Sequence, residues 1–257
     1  MVVDILATSD LHGNLPEIKT PFDILCICGD ICPDHDHYVS FQQEWMLTEF
    51  ADWVKSLPFK DEFSSVVMTW GNHDFVGERA NKMYILELKS KTDSRLEVLK
   101  NDVMKWTNGV STVSIFGTPY CKIFGSWAFM VPDTVLDRKF KDIPDGLDIL
   151  ISHDSPTLNG LGMINEGYGK GTEAGNRVLD LHIQRALPRM FFSGHIHSGN
   201  HNFESFEGVM MANVSHIDET YTPRWEPLYV QYDTEEKIIK KSEISLIKFL
   251  SESTTND

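Results

Sequence analysis

The sequence predicts an α/β layer fold with a second, partly antiparallel sheet. Short apolar runs punctuate the chain at regular intervals, and helical patterns separate the early ones. The later runs follow one another more closely, which leaves less room for crossover helices between parallel strands.

The elements follow in order. Val2 to Thr8 is the first strand; it has no basic leader and no cleavage site, so it does not read as a signal peptide. Asp23 to Cys28 is the second. Val39 to Leu57 carries Phe41, Trp45, Phe50, Trp53 and Val54 roughly on one helical face and stops at Pro58. Strand Ser65 to Thr69 precedes a helix over Arg79 to Leu88. Strands Val113 to Phe116 and Leu147 to Ile151 come next. Asn159 to Gly175, rich in glycine and polar residues, reads as a long surface loop of the kind that carries function. A helix over Ala174 to Leu187 ends at Pro188, and strands Met190 to Phe192, Val209 to Ala212 and Leu228 to Tyr232 complete the pattern. Ile244 to Leu250 is a helix-like run, and Ser251 to Asp257 is polar and expected to fray.

At 257 residues the chain can bury a sizeable core. A single domain is expected over residues 1–235, with 236–257 as a C-terminal extension. No run of about 18 apolar residues exists, so no membrane span or membrane partner is expected. Asp and Glu number 38 against 23 Lys and Arg, a net charge of −15. Binding a nucleic-acid polymer needs a basic stripe, and the single basic block is Lys237 to Lys241, so such a partner is disfavoured. An acidic protein that handles phosphate must neutralise it locally, and bound metal ions do that. Cys26, Cys28 and Cys32 lie within seven residues, a type of cluster that can hold zinc. With no second cysteine pair, they read as small core residues, and free thiols point to the cytoplasm.

Five of the strands end alike. The motifs are Ser9-Asp10-Leu11-His12-Gly13, Gly29-Asp30, Gly71-Asn72-His73-Asp74, Ser152-His153-Asp154 and Ser193-Gly194-His195-Ile196-His197. In an open α/β sheet the C-terminal strand edge is where ligands bind. Asp10, His12, Asp30, Asn72, His153, His195 and His197 are too many donors for one ion and suit two. Asp30 is the natural bridge, one carboxylate oxygen to each ion. Gly29, Gly71 and Gly194 would let the backbone turn sharply there. Nitrogen and oxygen donors without sulfur suit Mn, Fe, Zn or Ni better than Mg; two divalent ions, Mn first, are the expected cofactors.

Together these motifs resemble the signature of the calcineurin-like metallophosphoesterases, across about residues 3 to 232. The resemblance implies a four-layer α/β/β/α sandwich with two mixed β-sheets. It implies that one metal takes Asp10, His12, Asp30 and His197, and the other Asp30, Asn72, His153 and His195. A hydroxide bridging the ions would attack phosphorus. His73 would face the leaving group as general acid or cationic stabiliser, with Asp74 orienting it.

Departures from the pattern narrow the branch. Protein phosphatases of this family carry an Arg soon after Gly-Asp; here the stretch is Gly29-Asp30-Ile31-Cys32-Pro33-Asp34. The metal-bound Tyr of purple acid phosphatases is replaced by Pro33. Gly117-Thr118-Pro119-Tyr120, Trp127-Ala128-Phe129, residues 143–150 and Asn213 resemble small phosphodiesterases related to the brain metallophosphoesterase-domain proteins and class III cyclic-nucleotide phosphodiesterases. Some of that group have Gly at the place of His195; this chain keeps the His, so full activity is expected. The expected function is a phosphodiesterase acting on small nucleotides, with cyclic mononucleotides leading. A nuclease or nucleic-acid repair phosphatase is one alternative, and a non-catalytic metal-dependent scaffold a second. Tyr120 and Trp127 are candidates to stack a base, and Tyr168 and Lys170 sit in the long loop. His35 and His37 read as an exposed turn, and His201 and His216 are given no role. Homo-oligomerisation is left open.

Overall fold

The structure, a computed structural model, describes residues 1–243. The helix-like run Ile244 to Leu250 and the polar end therefore lie outside the described residues. Strands β1 (Val2–Thr8), β2 (Ile24–Cys28), β3 (Ser65–Thr69) and β4 (Leu96–Val98) run parallel. Their connections carry α1 (Val39–Trp45), a π-helical turn (Met46–Phe50), α2 (Ala51–Ser56), α3 (Phe75–Arg79) and α4 (Lys82–Lys91). A second sheet holds β5 (Asp102–Thr107), β6 (Thr112–Thr118), β7 (Ile149–Ser152), β8 (Met190–Ser193), β9 (Glu204–Phe206) and β10 (Val209–Asn213). It is ordered β5-β6-β7-β8-β10-β9, parallel through its centre and antiparallel at both edges. Two connections of this sheet carry α5 (Asp133–Phe140) and α6 (Arg177–Ala186). The chain then returns to the first sheet, where β11 (Leu228–Asp233) lies antiparallel beside β1 and β12 (Ile238–Glu243) beside β11.

Three apolar layers hold this together. Period-2 alternation splits β2, which is buried along its whole length: Leu25 and Ile27 face the helices with Trp45, Phe50 and Leu88, whereas Ile24, Cys26 and Cys28 face the second sheet. A strand covered on both faces must be apolar throughout, which is why β2 reads as a continuous run. The far face of the second sheet packs Phe116, Leu150 and Phe191 on Leu136, Phe140, Leu179 and Ile183 of α5 and α6. Helices, sheet, sheet, helices is the expected sandwich. Cys26 and Cys28 belong to the layer between the sheets; burial pushes the Cys26 thiol up to about 12 and Cys28 upward too, as for inert core thiols.

Some boundaries differ from expectation for local reasons. The helix expected over Arg79 to Leu88 starts at Lys82, because Asn81 caps it by accepting from Tyr84 N at 3.0 Å. The one expected from Ala174 starts at Arg177, capped by Asn176. The π-helical turn joins α1 to α2 and buries Met46 and Phe50. Strand β12 falls in the segment set apart as an extension, yet it pairs with β11, so the sheet reaches Glu243. No helix among the described residues is long and apolar enough to cross a membrane.

The topology aims one edge at function. The carboxyl ends of β1, β2 and β3 and those of β7, β8 and β10 meet there. Ser9, just past β1, bridges in parallel to Ser215, just past β10, and His216 N donates to Ser9 O at 2.8 Å, joining the two sheets.

Candidate metal centre

The residues past these strand ends are held in costly backbone geometry. Asp10, His12, Asp30 and His195 have φ of 51°, 42°, 49° and 69°. The left-handed region costs a non-glycine residue on the order of 1 kcal/mol, so the surroundings must impose it. Asp10 N donates to Gly29 O at 3.0 Å and His12 N to Asp30 O at 2.9 Å, which lock the first two loops together. Gly29 has the positive φ expected of a turn glycine, 96°. Gly71 and Gly194 are needed for close approach instead. A Cβ at Gly71 would lie 2.2 Å from Asp30 N and Oδ1, and one at Gly194 would lie 2.1 Å from Asp10 Oδ2. Gly71→Ala is therefore expected to displace Asp30. The melting temperature should fall by roughly 2–12 °C, and bound metal should be lost in the same preparation. A thermal melt paired with metal analysis checks both.

The seven expected donors converge. Donor atoms of Asp10, His12 and His197 lie within 4.8 Å of one another, and so do those of Asp30, His153 and His195. Asn72 Oδ1 is 2.8 Å from His153 Nε2. Asp30 connects the two groups through one oxygen. Its Oδ1 accepts from His73 N at 2.7 Å, while Oδ2 lies 3.5 Å from His12 Nε2 and 3.4 Å from His153 Nε2. Oδ2 thus faces both groups, while Oδ1 is turned to the His73 amide.

Outer contacts fix which ring nitrogen two of the histidines present. His153 Nδ1 donates to Cys28 O at 2.9 Å and His197 Nδ1 to Asp218 O at 3.1 Å, so both point Nε2 inward. Ser215 Oγ lies 2.7 Å from Asp10 Oδ2, and His195 N is 3.0 Å from both Asp10 oxygens. Asn213 Nδ2 donates to Ile196 O at 2.7 Å and braces the His195–His197 loop.

The chemistry of the donor set fits divalent cations. The His12 ring is buried, and neither nitrogen has a hydrogen-bond partner. An orphaned imidazole at 6 % exposure needs an explanation, and a cation supplies one. Burial holds His12 down to about 4 and His195 to about 3, so both offer free lone pairs. For Asp10, burial works against ionisation, but the His197 and His153 imidazoles beside it prevail and hold its carboxyl low. At Asp30, burial is likewise outweighed by His153 and His73. At His153 burial lowers the pKa, but the Asp30 and Asp10 charges outweigh it and lift the ring to about 10. A cation seated there displaces that proton.

His73 stands beside these groups. Its ring stacks on Trp127 (centroids 4.3 Å apart, planes at 22°) and meets His12 edge-on at 4.8 Å. Its Nδ1 donates to Asp34 Oδ1 at 2.7 Å, and His37 Nε2 lies 3.2 Å from the same oxygen. Asp34, not Asp74, is thus the carboxylate on His73. Asp74 is fully buried and spends both oxygens on backbone: Oδ1 accepts from Ile31 N and Cys32 N, and Oδ2 from Gly71 N. It ties the loop after β2 to the loop after β3. Buried Gln42 of α1 does similar work, donating to His73 O at 2.8 Å and accepting from Val76 N at 2.9 Å. His12, Asp34 and His73 form a third close group of donor atoms.

Sequence reasoning missed Asp34 and left His37 as surface. The available signal was their position, four and seven residues after Asp30 on a loop leaving the same edge. Asp34→Ala is expected to slow turnover of an ester with a poor leaving group by about 10–100-fold without altering metal content. Steady-state rates and metal analysis on one preparation check this.

The other expected contacts separate. Tyr120 packs on Phe129, with Lys139 Nζ 4.8 Å from its ring, and joins the apolar layers rather than the site. Tyr168 is wholly exposed. His35 packs on Phe41. His201 stacks on Trp225 and donates to His197 O at 2.8 Å, and His216 donates to Trp225 O at 2.7 Å; both act behind the centre. Two aromatics that the sequence did not single out stand against donor rings. Phe124 lies 5.1 Å from His195; Tyr221 lies 4.8 Å from His12 and 5.3 Å from His197.

Comparison with known proteins agrees with this geometry. The sequence model of the calcineurin-like phosphoesterases matches residues 3–199. Human metallophosphoesterase domain-containing protein 1 is 26% identical over 246 residues, covering 89% of this chain and 71% of that protein. The UPF0046 protein T07D4.2 of Caenorhabditis elegans is 34% identical over 216 residues, covering 73% of this chain and 50% of that one. The crystal structure of TT1561 of Thermus thermophilus matches with a TM-score of 0.57 at 14% identity, covering 96% of this chain and 100% of the other, a likeness of fold alone. The chain belongs to the calcineurin-like phosphoesterase family, whose members typically bind two divalent metals, and the two donor groups that meet at Asp30 are its candidate ligand sets.

Proposed function

We propose that this phosphoesterase is a phosphodiesterase of small nucleotides, with cyclic mononucleotides first among its substrates and Mn its preferred ion. One observation supports a diester over a monoester. The charged groups acting most on Asp10, Asp30, His12 and His195 are one another and nearby His and Asp side chains, with no lysine or arginine among them. A phosphomonoester carries nearly two negative charges at neutral pH. The second would add to the negative charge of Asp34, Asp10 and Glu219, which already press on Tyr221 nearby. A diester brings one charge.

In this reading Asp10, His12, Asp30 and His197 hold one ion, and Asp30, Asn72, His153 and His195 the other. When bound, such a pair polarises phosphoryl oxygens and acidifies water. His73, with Nδ1 committed to Asp34, presents Nε2 to the leaving oxygen and hands it a proton. Trp127 backs the His73 ring and keeps water from its face. Four buried thiols without a disulfide support residence in the cytoplasm.

The test is a substrate panel on Mn-reconstituted protein: bis-(p-nitrophenyl) phosphate, p-nitrophenyl phosphate and cyclic mononucleotides. The diester is expected to be turned over faster than its monoester. A strong monoester preference refutes the diester assignment, and tight, salt-dependent binding of DNA or RNA would favour a nuclease instead.

A further inference from the structure

Between Cys121 and Met130 the chain forms a loop with fastened ends and an apolar tip. Cys121 N donates to Phe129 O and Val131 N to Cys121 O, each at 3.1 Å; Ala128 N donates to Asn72 O at 3.0 Å. Lys122 N donates to Oδ2 of buried Asp154 at 2.9 Å, and its Nζ donates to Gly175 O at 2.9 Å. The loop is therefore fastened at its ends by backbone hydrogen bonds and by Lys122. Yet it carries Ile123 and Phe124, exposed by 56 % and 54 %. The loop thus leaves two large apolar groups in water beside a donor cluster.

Its position gives the contact a meaning. The Phe124 ring lies against His195, a donor of one group, tilted at 43°. Tyr221, 41 % exposed and at a left-handed φ of 62°, lies edge-on to His12 and His197, donors of the other. Each group thus has an aromatic wall. Trp127 gives one face to His73, so it is the less available platform.

We propose that the Ile123–Phe124 tip is the seat of the nucleobase, stacked on Phe124, with Tyr221 as the wall across the centre. This rests on the phosphodiesterase reading and names what that site selects: diesters bearing a planar heteroaromatic group, over alkyl diesters. Every base has a π-face, so stacking tolerates different bases, and little discrimination among them is expected.

The experiment compares two diesters with one leaving group: the p-nitrophenyl ester of a thymidine monophosphate, and methyl p-nitrophenyl phosphate. Wild type, Phe124→Ala and Phe124→Tyr are assayed as Mn-loaded protein. Phe124→Ala should raise KM for the nucleoside ester about tenfold more than for the methyl ester, the size of a lost stacking contact. Phe124→Tyr should behave as wild type. Equal losses on both esters, or none on the nucleoside ester, overturn the proposal. Calorimetric binding of a hydrolysis-resistant cyclic adenosine phosphorothioate gives a second readout, expected to weaken about tenfold in Phe124→Ala. If wild type hydrolyses neither diester, the phosphodiesterase reading fails, and binding still decides the shelf: equal affinity for wild type and Phe124→Ala overturns it.

Discussion

Asp30→Asn is expected to strip the protein of both ions and of its activity. The substituted side chain keeps its shape, and its amide oxygen still accepts from His73 N, where Asp30 Oδ1 does so at 2.7 Å. The fold and the loop after β2 should therefore survive, which near-UV circular dichroism would show. The change falls on Oδ2, which faces His12 Nε2 and His153 Nε2 together. An amide there offers N–H groups in place of lone pairs and removes one negative charge from a fully dehydrated spot. Substitution of an outlying donor such as His197 disturbs one group; this one disturbs both. The loss in kcat/KM is expected to be at least about a thousandfold, the order seen when catalytic charge stabilisation is removed. Metal analysis after gel filtration should find neither ion. A variant that kept one ion tightly and worked near the wild-type rate would show that Asp30 does not join the two groups.

His73→Ala is the second large effect, and it separates chemistry from metal holding. His73 is turned toward Asp34 and Trp127, and its loss leaves both donor groups that meet at Asp30 complete. Both ions should stay. Turnover of a substrate with a poor leaving group, such as a cyclic mononucleotide, should fall by ~10²–10⁴, the usual contribution of a positioned general acid. A p-nitrophenolate leaving group needs little protonation, so the loss on bis-(p-nitrophenyl) phosphate should be much smaller. Equal losses on the two substrates would make His73 a charge stabiliser and not an acid. No loss on the poor leaving group would remove it from the reaction.

What the sequence made legible follows from what leaves a linear trace. Buried strands are largely apolar runs, so β1 and β3 are read to the residue. The donors sit one to four residues past such runs, and a polar residue ending a core strand is conspicuous. The partners of those donors leave no such trace. Asp34 reaches His73 across 39 positions, by the course of a loop. Asp74, next to His73 in sequence, points the other way because three backbone N–H groups claim it. Phe124 is a single exposed aromatic, and one residue has no periodicity. Helix α5 escaped notice because it buries only Leu136 and Phe140. Strand β12 escaped because it is an edge strand, mostly exposed and carrying Lys240 and Lys241, the composition that keeps an edge from pairing with another chain. Gly71 and Gly194 look like turn residues in the sequence, whereas the carboxylates packed on them set the requirement.

One carboxylate oxygen of Asp30 is placed to serve two cations at the joined edge of the two sheets. Anomalous diffraction from Mn-loaded crystals tests it most directly. Two peaks per chain are expected, about 3.5–4 Å apart, with Asp30 Oδ2 in contact with both. A single peak, or two of which only one touches Asp30, would contradict it.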